Sequence, residues 1–356
     1  MTLKEELEIL RGEPIEVFDG DPMDIPCIET SDSERLCGHP VVSVLMTTYN
    51  HEPYIRQAIE GVMMQKTDFE FELVIGEDCS HDKTREICFE YQKKYPSKIR
   101  VLWWHENVSK YGGNGRRVTA HCRGKFIAFC EGDDYWTSPE KLQRQMDVFR
   151  GNQKIGLVTT SGVIVDSSCR FISDFTSSFV GLTNSTEIKG AILSAFWFGV
   201  LTCAVMCRRD ILRRSLGNMT LLSQMRLRCG DVQMELAVLD KSDAYFISDK
   251  MVAYRRTAAS ATGNPLSNFC VGRDGILVRY AYAKIKGLCY EQDSIMKWYI
   301  NYMAEAGFQF LPYSTWLDYF RKSDKKVVVI KRILVGSSKR VIKQIIRRLR
   351  NKAENV

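Results

Sequence analysis

Short apolar runs alternate with segments of helical spacing between residues 41 and 130, and this alternation limits the chain to few folds. Four runs have the length of a strand: residues 41–46, 71–75, 99–104 and 125–130. The segment after the first run places Ile55, Ile59 and Val62 on one helical face. Strands that alternate with helices at these intervals require right-handed crossovers. The sequence therefore predicts an α/β fold, Rossmann-like, with a doubly wound and mostly parallel sheet.

Three polar loops follow the first, second and fourth of these strands: residues 47–50, 77–82 and 131–136. In an open parallel sheet, ligands bind beyond the carboxyl ends of the strands. All three loops are expected at that edge, and together they predict one ligand site. Beyond residue 150 we expect strands over 156–165, 201–206 and 246–254, a polar loop over 167–178, and helices over 230–239 and 274–310.

Composition and length define the broad class. The 356 residues are 45% hydrophobic and 26% charged, which is typical of a globular protein and excludes wholesale disorder. We expect an N-terminal arm over residues 1–39, an α/β domain over 40–265, a helical extension over 266–320 and a tail over 321–356. The first residues lack the pattern of a secretory signal. Twelve cysteines without a CxxC pair are expected to be reduced thiols, which makes the cytoplasm the expected compartment.

The loop at residues 131–136 carries the strongest chemical signal. Glu131, Asp133 and Asp134 directly follow an apolar strand, where their charges repel one another unless a cation shares them. A hard divalent ion, Mg²⁺ or Mn²⁺, with carboxylate and diphosphate oxygens as ligands is the natural partner. The alternative is an acidic surface turn that binds nothing.

Three segments resemble one known family in their residues, order and spacing. Residues 42–50 (VSVLMTTYN), 74–84 (VIGEDCSHDKT) and 124–142 (GKFIAFCEGDDYWTSPEKL) are similar to the inverting nucleotide-sugar glycosyltransferases of family 2, of the bacterial cell-surface polysaccharide type. The resemblance implies a GT-A catalytic domain over 40–265 and a nucleotide-diphospho-sugar donor. It also implies a metal ion at the acidic loop and one carboxylate that acts as base.

The resemblance assigns three residues to the donor nucleotide, and a basic pair is a further candidate. Thr47 and Tyr49 would line the nucleobase pocket, and Asp78 would hydrogen-bond the base or the ribose. Thr47 as a strand terminator, Tyr49 as a core aromatic and Asp78 as a helix cap are the structural alternatives. Arg116 and Arg117 follow a Gly-rich loop and would reach the diphosphate, unless they are a solvated basic pair.

Within the acidic loop, Asp133 and Asp134 match the positions that hold the metal ion and the donor sugar. Glu131 stands where the family often has its first Asp, and its longer side chain implies an outer contact or one to a sugar hydroxyl. Trp136 and Thr202 are assigned to the acceptor side. A β-branched core residue is the alternative for Thr202.

The catalytic base is expected away from the metal loop, because the loop carboxylates are occupied. Inverting transfer needs a carboxylate or a His within hydrogen-bond reach of the acceptor hydroxyl. Asp231, in a Gly-Asp pair that opens the helix over 230–239, is similar to the base position in the family. An ordinary helix N-cap is the alternative. Downstream, Arg255 or Arg256 would touch phosphate.

Positive charge is concentrated near the C-terminus. Residues 321–356 contain thirteen Lys or Arg and two acidic residues, a net of +11, whereas residues 1–320 carry −4. A nucleic-acid enzyme usually spreads its positive charge around the active cleft, so no nucleic-acid partner is expected. Val341, Ile345 and Leu349 lie on one apolar helical stripe among these cations. The stripe predicts peripheral binding to anionic lipid on the inner face of the plasma membrane, with packing on the body or nucleic-acid binding by the tail as alternatives.

These observations predict a metal-dependent inverting glycosyltransferase. It would move a sugar from a nucleotide-diphospho-sugar, first among them a UDP-sugar, to a glycan or lipid-linked glycan in cell-surface polysaccharide assembly. One alternative is a non-catalytic scaffold that binds nucleotide-sugar. The other is a sugar-1-phosphate nucleotidyltransferase, which should carry a Gly-rich loop with Lys and Arg just after the first strand. Residues 47–53 lack such a loop.

Overall fold

The computed structural model describes residues 2–17, 26–109, 114–175, 184–189, 200–212, 225, 227, 229–257, 260 and 263–303. They divide into two compact units. The larger unit lies within residues 18–224 and 233–257 and contains the sheet. The smaller unit lies within 1–17, 225–232 and 258–303 and is built around helices.

A single mixed sheet runs through the larger unit. The strands within the described residues are β1 Ile28–Thr30, β2 Val42–Thr48, β3 Phe71–Glu77, β4 Ile99–Trp103, β5 Phe126–Phe129, β6 Tyr135–Trp136, β7 Ile155–Val165, β8 Phe171–Phe175, β9 Thr186–Ile188, β10 Met206–Arg208 and β11 Asp243–Arg255. Their order is β1-β4-β3-β2-β5-β10-β7-β11-β6, with β8 beside β7 and β9 beside β11. Because β4, β3, β2 and β5 are parallel, the predicted α/β sheet with a mostly parallel centre is confirmed.

Helices cover this parallel centre. They are α2 Ile55–Met63, α3 Thr84–Lys94, α4 Asn114–His121 and α5 Lys141–Gly151. All seven residues of β3 are buried, as are six of the seven residues of β2. Ile55, Ile59 and Val62 form the buried face of α2, as their spacing predicts. A strand that is covered on both faces is apolar throughout, which is why these strands appear in the sequence as continuous runs.

The sheet beyond β5 differs from the sequence expectation in two places. Residues 201–206, predicted as a strand, form the 3₁₀ helix Thr202–Ala204 followed by β10, which is antiparallel to β5 and β7. Residues 167–178, predicted as a loop, contain β8. Phe171 and Ile172 of β8 are 62% and 48% exposed, whereas the half-buried positions are Ser173 and Phe175, so apolar and polar residues do not alternate along this strand.

Strand β11 links the far half of the sheet to the segment after the acidic loop. It runs parallel to β7 along most of its length. It is also antiparallel to the short strand β6, with Val252 opposite Trp136 and Ala253 opposite Tyr135. The strands predicted over 156–165 and 246–254 are therefore present as β7 and β11, and β11 reaches the end of the acidic loop.

In the smaller unit, helix α1 Leu3–Arg11 contacts the long helix α7 Pro265–Ile285, which also contacts α8 Cys289–Tyr302. Thr2 and Glu5 form a capping box at the start of α1, and Asn264 caps α7 ahead of Pro265. Leu7 is fully buried, and the Arg11 guanidinium lies 3.2 Å from the Asp274 carboxylate. The helical region predicted over 274–310 is thus two helices as far as residue 303.

None of the described helices is long and apolar enough to span a bilayer. The tail at 321–356 lies outside the described residues. Its amphipathic helix, like the division of the chain into four parts, therefore stays a prediction.

Candidate functional site

The loops after β2 and β3 are joined by hydrogen bonds at the carboxyl edge of the sheet. The Asn50 amide donates to Ser80 Oγ at 3.0 Å, and the His81 amide donates to Asn50 Oδ1 at 2.8 Å. The His51 amide donates to Thr84 Oγ1 at 2.8 Å. Asn50 has a φ of 53°, a left-handed conformation that Asn adopts more readily than most residues. These contacts make one structured surface from two loops that the sequence predicted to be neighbours.

Tyr49 lies on this surface and Thr47 lies at its base. The Tyr49 side chain is 38% exposed, and its ring meets that of His81 edge to face at 6.2 Å between centroids. Thr47 is half-buried and is the second-last residue of β2, just before the loop. An exposed aromatic ring at a strand end can stack on a planar base, whereas a ring in the core cannot.

Asp78 holds the loop that follows β4. Its carboxylate accepts hydrogen bonds from the amides of Val108, at 2.6 Å, and Ser109, at 3.1 Å, and also from the Ser109 hydroxyl. The residue is 1% exposed. At the start of α3, Asp82 rather than Asp78 accepts the Thr84 amide, at 3.0 Å. Asp78 therefore shapes the wall of the site through the 107–109 loop.

The two arginines of α4 have different surroundings. Arg116 is half-buried, its Nη2 lies 3.2 Å from Gln233 Oε1, and burial lowers its pKa. Arg117 is 2% exposed, and its Nη1 donates to the Val108 carbonyl at 3.4 Å. The Arg117 side chain thus supports the same loop as Asp78 from inside the unit, and Arg116 is the more accessible of the pair.

The acidic loop turns back against the end of β2. The Gly132 amide donates to the Thr47 carbonyl at 2.9 Å, and the Asp134 amide donates to the Glu131 carbonyl at 3.1 Å. A β-carbon at Gly132 would lie 2.6 Å from Thr48 Oγ1, so glycine is required for this close approach. The loop therefore lies directly beside the surface that carries Tyr49.

Burial distinguishes the carboxylates of this loop. Asp134 is 2% exposed, whereas the side chain of Asp133 is 19% exposed and its Oδ2 lies 4.0 Å from His51 Nε2. Burial, followed by the charges of Asp133 and Glu131, raises the pKa of Asp134 well above its usual range. Carboxylates crowded in this way are stabilised by a shared cation.

A candidate metal centre includes part of the predicted set. Ligand atoms of Glu131, Asp134 and Cys203 lie within 4.8 Å of one another. Burial raises the pKa of the Cys203 thiol well above its ordinary value, with Asp134 and Glu131 adding to the effect, so this sulfur is a neutral neighbour. Carboxylates are the donors that suit Mg²⁺ or Mn²⁺, so the chemistry of the loop fits a hard divalent ion. Asp133, which the sequence predicts as a ligand, is not a member of this group, whereas Glu131 is.

Beneath the loop, Trp136 is an anchor inside the unit. It is 1% exposed, and its Nε1 donates to the Cys203 carbonyl at 2.9 Å. The Nζ of Lys141, also fully buried, lies 4.1 Å from the centre of the indole ring. In this structure Trp136 fixes the loop and presents almost no surface to an acceptor. Thr202 is half-buried in the 3₁₀ helix, next to Cys203.

Asp231 lies in the first turn of helix α6 Gly230–Leu239, as predicted from its Gly-Asp pair. The first three residues of α6, Asp231 among them, belong to the smaller unit. Asp231 is half-buried, and burial raises the pKa of its carboxyl above the usual range, against the opposing charge of Arg279. A carboxylate with a raised pKa binds a proton more readily, which is the property that a general base needs.

The sequence prediction gave no role to two residues of the site and a different role to a third. No role was predicted for Cys203, or for Lys141 within the segment 124–142, since a buried thiol and a buried amine are recognised only by their surroundings. Arg255 was predicted to touch phosphate, but it is 1% exposed, and its side chain bonds within the unit. Only the pairing of β6 with β11 brings Arg255 to the acidic loop.

Comparison with known proteins shows a similarity to one family over about half of the chain. Residues 43–215 match the model of glycosyl transferase family 2. An uncharacterized protein of Mycobacterium tuberculosis is 40% identical over 105 residues, which are 30% of this chain and 30% of that protein. A putative teichuronic acid biosynthesis glycosyltransferase of Bacillus subtilis is 32% identical over 108 residues, 30% of this chain and 41% of the relative. The chain thus spans less than half the length of either relative.

Among solved structures, S. aureus TarS in complex with UDP-GlcNAc is similar with a TM-score of 0.54 at 18% identity. The likeness covers 84% of this chain and 82% of that chain, and it is a likeness of fold. The matched residues 43–215 include most of β2, all of β3 and β5, and the acidic loop. The segment 43–215 of this chain is therefore similar to glycosyl transferase family 2.

Proposed function

We propose that this chain is a metal-dependent inverting glycosyltransferase that moves a sugar from a nucleotide-diphospho-sugar to an acceptor hydroxyl. The observation that carries the proposal is the crowding of Glu131, Asp133 and Asp134 beside the surface that bears Tyr49. A UDP-sugar is the first donor to test, since the solved protein of similar fold was bound to UDP-GlcNAc. The Bacillus subtilis relative is named for teichuronic acid biosynthesis, which supports a glycan or lipid-linked glycan acceptor.

The donor half of the reaction belongs to the larger unit. Tyr49 stacks on the nucleobase with Thr47 beneath it, and Asp78 keeps the neighbouring wall in place. Arg116 faces the diphosphate. Asp133 and Asp134 would hold Mg²⁺ or Mn²⁺, with Glu131 beside them. Such an ion supplies charge stabilisation to the departing nucleoside diphosphate.

Asp231 is the proposed base. It accepts the proton of the acceptor hydroxyl as that oxygen attacks the anomeric carbon and the bond to the diphosphate breaks. The burial that raises its pKa adds to its strength as a base. A scaffold that only binds nucleotide-sugar would not need this proton acceptor, so Asp231 separates the two functions.

UDP titration with and without Mn²⁺ tests the donor site. In the wild type, Mn²⁺ is expected to strengthen UDP binding. Asp133→Asn should lose the Mn²⁺ effect, because it removes a ligand charge from a half-buried position without disturbing the core. Asp174→Asn is the matched control, since Asp174 is an exposed acid of β8 that pairs with Lys250 at the surface. Equal behaviour of the two variants would show that the acidic loop is a turn without a metal.

Donor hydrolysis by Asp231→Asn tests the base. UDP affinity should persist while turnover falls by about 10²–10⁴, the range typical of a lost general base. A parallel loss of UDP affinity would assign Asp231 a structural role. UDP binding by a wild type that has no turnover with any donor would favour the scaffold.

We further propose that residues 321–356 bind the chain to anionic lipid at the cytoplasmic face of the plasma membrane. The net charge of +11 in this tail, against −4 in the rest of the chain, supports the proposal.

A further inference from the structure

Arg255, the last residue of β11, reaches the acidic loop through strand pairing. Ala253 of β11 stands opposite Tyr135 of β6. Two residues further along, an antiparallel register places Arg255 opposite Asp133. The side chain is 1% exposed, which is unusual for an arginine that is not part of a pair or network.

Both the backbone and the side chain of Arg255 bind the acidic loop. The Arg255 amide donates to Asp134 Oδ1 at 2.7 Å. Its Nε donates to the Asp133 carbonyl at 2.8 Å. One residue therefore fixes the carboxylate of Asp134 and the main chain of Asp133, the two acids proposed to hold the metal ion.

The remaining guanidinium hydrogens bind segments on the other side of Arg255. Nη2 donates to Gln57 Oε1 of α2 at 2.7 Å. Nη1 lies 3.1 Å from the Cys169 sulfur, in the turn between β7 and β8. The rings of Tyr54 and Tyr135 flank the guanidinium at 4.6 and 5.2 Å. All three nitrogens of the guanidinium thus have hydrogen-bond partners inside the unit. This arrangement argues against the predicted contact of Arg255 with phosphate.

This arrangement depends on the shape of the guanidinium as well as on its charge. A planar fork can bond the Asp133 carbonyl, Gln57 and Cys169 at once while its faces contact aromatic rings. A lysine ammonium is a single point of charge on a flexible stem, and it cannot reproduce three fixed directions. Lysine at position 255 would keep the backbone bond to Asp134 but release the main chain of Asp133.

We propose that Arg255 is a positioning residue that ties the acidic loop to α2 and to the β7–β8 turn, so that Asp133 and Asp134 are held ready for the metal ion and the donor. The effect on ligand binding rests on the proposed function, whereas the ordering of the loop does not.

Hydrogen exchange in the full chain tests the ordering of the loop without any ligand. In Arg255→Lys, the amides of residues 131–136 should exchange about tenfold faster or more, the scale expected for the loss of one hydrogen bond made by a charged group. Arg208→Lys is the matched control, because Arg208 also donates to main-chain carbonyls and contacts two rings, but in β10. This control should leave exchange at 131–136 unchanged. Equal exchange at 131–136 in wild type and Arg255→Lys would overturn the proposal.

A second variant, Gln57→Ala, keeps the proposal testable if Arg255→Lys does not fold. Gln57 is exposed on α2, so its removal spares the core, yet it deletes the 2.7 Å bond to Nη2. Exchange at 131–136 should accelerate several-fold and stay normal in β2 and β3. Unchanged exchange at 131–136 in Gln57→Ala would contradict the role of Arg255, just as unchanged exchange in Arg255→Lys would.

Mn²⁺ electron paramagnetic resonance in the presence of UDP measures the consequence for the ligand. At a temperature where all variants are folded, Arg255→Lys should bind Mn²⁺ about tenfold more weakly or worse, while Arg208→Lys binds normally. Normal Mn²⁺ affinity in Arg255→Lys would refute the effect on the metal site. A wild type without Mn²⁺ affinity, combined with faster loop exchange in Arg255→Lys, would refute the proposed function and uphold the ordering role.

Discussion

Burial gives the charged residues around the acidic loop different protonation behaviour. Asp134 and Lys141 are both inside the unit, and in each case burial disfavours the charged form. For Lys141 the desolvation of the buried amine lowers the pKa to about 7, although the amine lies over the Trp136 ring and donates to Gln145 Oε1 at 2.9 Å. The residue therefore changes charge within the physiological range.

This lowered pKa predicts a dependence of stability on pH. The unfolded chain keeps Lys141 protonated up to its ordinary pKa, whereas the folded protein releases the proton near pH 7. The free energy of unfolding should consequently rise as pH increases from about 7 toward the ordinary lysine value, and the contribution of Lys141 is least favourable below 7. Lys141→Met should reduce this rise, as measured by the melting temperature between about pH 6 and pH 9.

Lys154→Met is the control for that measurement, because Lys154 is exposed just ahead of β7 and has no buried charge to relieve. Its melting temperature should follow the wild type at every pH. If Lys141→Met also follows the wild type throughout, Lys141 does not titrate in this range.

At the scale of elements, helix α2 approaches β6 closely enough to exclude a methyl group. A β-carbon at Gly61 would lie 2.9 Å from both the backbone nitrogen and the backbone oxygen of Trp136. Backbone atoms of a paired strand cannot move as the end of a side chain can. The position of β6, and with it the end of the acidic loop, therefore depends on Gly61 of α2.

Gly61→Ala should destabilise the protein by about 1–3 kcal/mol, the cost of overpacking a core contact. Gly151→Ala at the end of α5 is a matched change, because a β-carbon there would meet nothing within 4 Å. That variant should be neutral or stabilised by up to about 1 kcal/mol through helix propensity. Urea unfolding of both variants measures the difference. Equal stability would mean that α2 shifts without cost.

The sequence predicts best those elements that are buried on both faces. β2, β3, β4 and β5 are recognisable because a covered parallel strand is a continuous apolar run, and the loops after them locate the acidic residues. Strands of two or three residues, such as β6 and β9, are too short to show any period. The contact between Arg255 and Asp133 was also out of reach, since it depends on the pairing of β11 with β6 rather than on a local pattern.

At the scale of the whole chain, charge is divided unequally. A tail of +11 follows a body of −4, and the acidic loop belongs to the body. Lipid binding and donor binding are thus expected to depend on different parts of the sequence.

Deletion of residues 321–356 should accordingly abolish binding to anionic vesicles and leave Mn²⁺-dependent UDP binding intact. Coulomb attraction between exposed charges is screened over about 8–10 Å at physiological salt, so added salt should weaken vesicle binding of the full chain. Co-sedimentation with anionic and neutral vesicles measures both effects. A truncated chain that still binds anionic vesicles as the full chain does would contradict the role of the tail.

The hydrogen bonds between Arg255 and the acidic loop also have a consequence for the stage of synthesis at which the loop can become ordered. The two partners of the bond to Asp134 are 121 residues apart in the chain. While a ribosome is still translating the residues before β11, the nascent chain already contains every strand of the parallel centre and the whole acidic loop. It has neither β11 nor the guanidinium that orders this loop. Since contacts distant in sequence form late, the donor site is among the last parts of the sheet to be completed, and incomplete translation products carry the acidic residues without an ordered donor site.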